Sequence, residues 1–210
     1  MGKDAIYCKY IKGIIDRSLA FIGVVCFWWL YLLLAIAIKV DDPKGPVLFK
    51  QERLGKDGKV YWMYKFRSMR VGAEHMGSGV YSDDKDDRIT TIGHFLRKTS
   101  LDEIPQLFNI LKGDMALIGF RSPLTYHPWT WDEYTEEQKK MFAIRPGITG
   151  WAQVNGRKTV EWNRRIELNV WYAEHVSFLL DIKILFMTVF KVFANSDNEN
   201  VGETVKRQGE

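Results

Sequence analysis

Residues 19–38 read LAFIGVVCFWWLYLLLAIAI, twenty consecutive positions without a charged side chain. As an α-helix, a run of this length extends about 30 Å, the thickness of a bilayer hydrocarbon core. It is apolar on every face, and a small soluble domain rarely encloses such a helix. No small-residue cleavage site follows Ile38, as a secretory leader would require. The run predicts a membrane-inserted helix within residues 1–40. Its flanks constrain the topology further. Lys3, Lys9, Lys12 and Arg17 precede it, and Lys39, Lys44, Lys50 and Arg53 follow it. Positive charge favours the cytoplasmic side, so both ends ask for the same side. A re-entrant helix that enters one leaflet, bends and returns satisfies both; a single span does not. The run contains no proline to cause the bend, and Gly23 is only a weak breaking point.

A second apolar stretch, SFLLDIKILFMTVFKVF at residues 177–193, is interrupted by Asp181, Lys183 and Lys191. It reads as an interfacial helix with lysines reaching toward lipid phosphates; a C-terminal core helix is the alternative. The tail, residues 195–210, is polar. Between these segments lies a compact domain, residues 41–194 in all. PVLFKQ at 46–51 and VYWMYKFRSM at 60–69 read as two strands joined by the turn GKDGK into a hairpin. Residues 72–87 form a polar loop, 92–98 and 107–111 short helices, 131–142 one charged surface helix, 146–156 a glycine-containing loop, and 161–175 a helix. Many short elements without a βαβ repeat indicate an α+β class.

Composition narrows the function. The 210 residues carry a net charge of +4, too mild a surplus to indicate nucleic-acid binding. Cys8 and Cys26 cannot form a disulfide framework or a four-ligand zinc site. His75, His94, His127 and His175 lack metal-ligand spacing, and GDMALIG at 113–119 lacks the Lys-Ser/Thr end of a P-loop. The chemistry concentrates instead at Ser100-Leu101-Asp102-Glu103. Bare sequence reads this as a helix-capping box, although Pro105 suits a helix that starts there. Either way Asp102 and Glu103 lie beside a helix start, and two adjacent buried carboxylates need cations nearby. Lys65 and Arg67 alternate with aromatics on the second strand. Arg88, Arg97, Arg121, Arg145 and Arg157 stand beside turns or glycines, in DRITTIG, IGFR, RPGITG and VNGR among others. Arginine's planar fork suits phosphate oxygens, so the set points to a polyphosphate site with a candidate carboxylate nucleophile.

The motifs themselves are more specific. KGIIDRSLA at 12–20, GPVLFKQERLG at 45–55, YKFRSM at 64–69, DDRITTIGHFLRKTSLDEIPQLFNILKGDMALIG at 86–119, RPGITGWAQVNGR at 145–157 and WYAEHVSFLLDIKIL at 171–185 cover nearly the whole chain. In content and order the chain resembles the small bacterial monotopic phosphoglycosyl transferases. The resemblance implies transfer of a sugar-1-phosphate from a UDP-sugar, by guess N-acetylated, to undecaprenyl phosphate, with Mg2+ and release of UMP. It implies a catalytic dyad at Asp102 and Glu103, with Asp102 as nucleophile and Mg2+ contact. Lys65, Arg88, Arg97, Arg121, Arg145 and Arg157 are the expected substrate-binding residues, and Arg121 and Arg157 the foremost. It implies a re-entrant helix and an active site on the cytoplasmic face of the inner membrane. Two departures from the family pattern stand out. Trp28-Trp29 occupy the place of a helix-breaking Ser-Pro pair, which removes the usual cause of the bend and predicts a helix that is straighter or that spans. Gly119-Phe120-Arg121-Ser122-Pro123 replaces Gly-Pro-Arg-Pro, which changes the backbone setting of Arg121. These departures leave open a catalytically weak membrane module that binds nucleotide-sugar or lipid phosphate; a hydrolase is a third reading.

Overall fold

A computed structural model describes residues 6–76, 86–156 and 161–194. One helical rod opens the chain: a π-helical stretch, Tyr7–Ile11, runs into α1, Lys12–Asp41. Among the described residues it is the one helix long and apolar enough to cross a membrane. Asp16, Ala20, Leu34 and Ile38 are its buried positions. Phe21, Ile22, Val25, Trp28, Trp29, Leu32, Leu33 and Ile36 are exposed. The expectation of a straighter helix is not met. Phe27 leaves helical geometry (φ −110°, ψ 17°), and the Trp29 indole N–H donates to the Cys26 carbonyl at 3.1 Å. A bend therefore arises without proline, next to an aromatic donor that occupies a carbonyl at the break.

Both arms of α1 rest on the rest of the fold. Ala20 packs with Tyr61, Met63, Ile110 and Met115, while Leu34 and Ile38 pack with Phe66 and Leu96. Beyond α1, β1 (Leu48–Leu54) and β2 (Val60–Phe66) form the expected antiparallel hairpin, in register from Leu48↔Phe66 to Leu54↔Val60. Then follow α2 (Thr91–Thr99) and α3 (Gln106–Lys112). Gly93 lets α2 approach the end of the hairpin: a Cβ there would stand 1.9 Å from the Ser68 carbonyl oxygen. Gly113, at φ 90°, closes α3 in the left-handed conformation.

Two expectations are corrected beyond this point. Residues 131–142 are not one helix but a 3-10 turn, Trp131–Glu133, then α4, Glu136–Lys139, then a second 3-10 turn, Lys140–Ala143. Successive capping boxes at Thr130/Glu133 and Thr135/Gln138 restart the chain twice. Residues 146–156 are not only loop. β4 (Gly147–Thr149) pairs in parallel with β3 (Ala116–Ile118), and α5 (Trp151–Val154) follows at once. Three-residue strands leave no alternation to read. The helices α6 (Trp162–His175) and α7 (Phe178–Ala194) complete the fold. In α7, Asp181 and Ile184 are buried, while Phe178, Leu179, Phe186 and Phe190 are exposed. The helix therefore has one packed face and one open apolar face. The main aromatic core sets Phe120 edge-on against Phe142, with Trp129 and Tyr134 alongside. The class is α+β, as expected; the polar tail from residue 195 and most of the loop at 72–87 lie outside the described residues.

Candidate active site

The chain between α2 and α3 places the two carboxylates. Ser100 ends α2 in the left-handed region at φ 57°. A 3-10 turn, Leu101–Glu103, then carries the chain to Pro105, which precedes the first residue of α3. The capping-box reading is thereby set aside, because the Glu103 carboxylate goes to Lys65 instead. Lys65 Nζ lies 2.8 Å from Glu103 Oε1 and 3.8 Å from Asp102 Oδ2. Asp102 is buried. Desolvation raises its proton affinity above the ordinary carboxylate range, and the neighbouring Glu103 adds to this; Lys65 and Arg97 oppose it. The dyad is thus asymmetric: Glu103 is bound to an ammonium, and Asp102 is held in a drier position with one oxygen loosely paired.

These groups line a cavity of about 660 Å3. Its walls carry eight Lys and Arg side chains against three carboxylates, so the space suits an anion. Lys65, Arg97 and Arg121, expected from the sequence, all reach it. The Arg121 side chain is exposed on the cavity wall. Arg88 and Arg145 are engaged elsewhere. Arg88 pairs with Asp86 and donates to the carbonyls of Ala73 and Met76, tying these described segments together. Arg145 donates through Nε to the Gly113 carbonyl at 2.8 Å, at the C-terminal end of α3. Arg157 lies outside the described residues. Arg67 lines the cavity but is bound to the Asp42 carboxylate and carbonyl and to the Pro46 carbonyl, tying the end of α1 to β2.

Residues missed from sequence also line the cavity: Arg53, Arg70, Gln153 and Arg165. Arg53 reads as a basic flank of the apolar run, yet the hairpin turns it into the site. The alternation of β1 offers a weak signal for this, since Arg53 lies on the same strand face as Gln51, whose Oε1 accepts from Arg53 Nη2 at 2.6 Å. The donor set also fits a hard divalent cation. Mg2+ typically takes one or two protein carboxylates and completes its shell with substrate phosphates and water; Asp102 and Glu103 are the adjacent carboxylates that could hold one here, with Glu103 paired to Lys65. No group of three or more ligating side chains occurs among the described residues.

The chain is 42% identical over 186 residues, 88% of either chain, to the uncharacterized sugar transferase EpsL of Bacillus subtilis. It is 42% identical over 167 residues to the UDP-glucose:undecaprenyl-phosphate glucose-1-phosphate transferase of Escherichia coli, covering 77% of this chain and 36% of that one. It is 38% identical over 183 residues to the UDP-N-acetylgalactosamine-undecaprenyl-phosphate N-acetylgalactosaminephosphotransferase of Aeromonas hydrophila, covering 86% of this chain and 43% of that one. The chain thus spans about two fifths of these two longer relatives. The sequence pattern of the bacterial sugar transferases matches residues 7–195, and the chain belongs to that family.

Proposed function

We propose that this protein moves a sugar-1-phosphate from a UDP-sugar, N-acetylated by preference, to undecaprenyl phosphate through a covalent intermediate on Asp102. The observation that carries the reading is a buried, loosely paired carboxylate at the wall of a strongly cationic cavity. An Asp102 oxygen attacks the β-phosphorus of the donor. The bond from that phosphorus to the α–β bridging oxygen breaks, and UMP leaves. An oxygen of the lipid phosphate then attacks the same phosphorus, the aspartyl bond breaks, and a lipid-diphosphate sugar departs with Asp102 restored. Splitting one displacement into two implies ping-pong kinetics. Lys65 holds Glu103 in place beside Asp102. Arg97 and Arg121 face the phosphates and offset their charge. Asp102, with Glu103, would hold Mg2+, whose chemistry there is neutralisation of the diphosphate.

The membrane arrangement belongs to the same reading. The first turns of α1 and its last turns both pack on the same polar domain, which supports a re-entrant helix over a span, because a span would separate the two ends by a bilayer. The exposed apolar residues of α1 and α7 would then enter one leaflet, with the cavity on the cytoplasmic face, where nucleotide sugars are found.

UMP release from a panel of UDP-sugars, with Mg2+ and detergent, with and without undecaprenyl phosphate, tests the proposal. Acceptor-dependent turnover that vanishes in Asp102→Asn is the expected result. Binding without UMP release would instead favour an inactive module, and sugar phosphate released without acceptor would favour a hydrolase.

A further inference from the structure

Arg121 is mounted on a fixed stretch of backbone. Its side chain makes no hydrogen bond or ion pair with the described residues, yet the backbone on either side of it is fixed. Before it, Phe120 is fully buried, sits edge-on against Phe142, and accepts from the Gly147 N–H through its carbonyl at 2.9 Å. After it, the segment from Ser122 to Leu124 joins the end of β1. The Leu54 N–H donates to the Pro123 carbonyl at 3.0 Å, and Arg53 bridges Leu124 in antiparallel fashion. The Ser122 hydroxyl donates to the Leu54 carbonyl at 2.7 Å, and Arg53 Nη1 donates to the Ser122 carbonyl at 3.0 Å. Arg53 is half-buried, but its Nε is enclosed and has no partner among the described residues. Burial, with the charge of Arg121 nearby, pushes its pKa down to about 10. The Arg121 charge opposes that of Arg53 while Glu103 favours it, and an anion in the cavity would further relieve the repulsion between the two guanidiniums.

We infer that Arg53 and Ser122 are positioning residues that hold Arg121 toward the diphosphate of the donor, Arg53 by gripping the Ser122 carbonyl and Ser122 by locking its segment to β1. The mount supplies by hydrogen bonds and an aromatic anchor the stiffness that a proline on each side of Arg121 would give covalently. It matters for donor binding more than for the chemical step, because the grip lies on the phosphate-facing arginine and not on Asp102. This inference rests on the proposed donor class.

The test combines donor kinetics with calorimetric binding of UDP, using the purified full chain. Arg53→Gln and Ser122→Ala are each expected to raise the donor KM and the UDP dissociation constant about tenfold, with a smaller change in kcat, as loss of a hydrogen bond serving a charged group predicts. Ser122→Thr retains the hydroxyl and is expected to stay near wild type. On an Arg121→Gln background, Ser122→Ala is expected to add less than about twofold, because the two act as one unit. Full additivity on that background, or unchanged UDP affinity in both single variants, overturns the inference. If no UDP-sugar is turned over but UDP binding weakens as described, the mount stands and the transfer reaction fails. If Arg53→Gln does not fold, Ser122→Ala and the cycle with Arg121→Gln decide the question.

Discussion

Asp181 and Asp102 are both buried carboxylates, and the fold treats them in opposite ways. Asp181, on α7, receives the Tyr7 hydroxyl at 2.7 Å, the Lys12 ammonium at 2.6 Å and the Tyr172 hydroxyl. Its oxygens are filled by donors from the start of the N-terminal helical rod and from α6, so it joins three helices and has little capacity left. Asp102 has an ammonium at 3.8 Å that is committed to Glu103, and it opens on a cavity rich in unbalanced positive charge. Burial therefore does not separate a structural carboxylate from a reactive one. The degree to which the protein itself satisfies the oxygens does, since a fully bonded anion is stabilised in place and an under-bonded one keeps a lone pair for a substrate.

Substituting each aspartate tests the contrast most directly. Asp102→Asn is expected to lower UMP release by about a thousandfold or more, as loss of a covalent nucleophile does, while the melting temperature does not fall. Unfolding measurements and turnover on the same preparation check both halves; a destabilised Asp102→Asn protein would put Asp102 in the structural class. Asp181→Asn is expected to do the reverse. Removing one partner of a buried ionic network costs about 3 kcal/mol, read as a lower denaturation midpoint, whereas kcat of the folded protein stays within about threefold. A thousandfold loss of kcat in a stable Asp181→Asn protein would erase the distinction.

The acid limb of the pH profile sharpens the same point. Because desolvation raises the proton affinity of Asp102, its ionised form is lost at a higher pH than for an ordinary carboxylate near 4. The sign follows directly. If Asp102 acts as the proposed nucleophile, it is ionised and active above its own value, and activity falls as pH drops through that value. The kcat/KM profile is expected to lose about one log unit per pH unit below a midpoint above the ordinary carboxylate range. A midpoint at or below the ordinary value would mean that Lys65 and Arg97 outweigh burial.

The two aspartates also mark how far sequence carries. The apolar run at 19–38 and the hairpin around GKDGK are legible because each is set by local pattern: one by uninterrupted hydrophobicity, the other by turn residues between β-rich segments. The dyad is legible through motif resemblance, although the bare residues allowed a capping box. The Asp181 network joins residues 7, 12, 172 and 181, and nothing local in FLLDIKIL shows that its aspartate is spoken for. Arg53 was hidden for the same reason, since its meaning comes from Ser122 and Arg121, nearly seventy residues away. Arg88 and Arg145 share the arginine-beside-turn pattern with Arg121. The difference is that folding supplies them with Asp86 and with backbone carbonyls, and composition of the neighbourhood does not report that.

The bend at Phe27 extends the comparison from charged oxygens to a carbonyl. At a break in an α-helix an acceptor loses regular geometry, and in hydrocarbon no water replaces the missing donor. Here the Trp29 indole N–H, three residues on, donates to the Cys26 carbonyl at 3.1 Å, so the chain fills the acceptor from within, as it does at Asp181. Trp29→Phe keeps an aromatic ring and removes the donor. The loss of one such bond, about 1 kcal/mol, is expected to shift the balance between bent and spanning helices by about fivefold. A cysteine placed at Lys44, in a variant lacking Cys8 and Cys26, reports the outcome through labelling from the periplasmic side of intact cells. Wild type is expected to remain unlabelled, and Trp29→Phe to gain a small labelled fraction. Labelling of wild type would sink the re-entrant arrangement. Equal protection of both proteins would mean that the Cys26 carbonyl is satisfied without the indole, and that the contacts of α1 with the domain, the packing of Ala20, Leu34 and Ile38 among them, hold the helix in place.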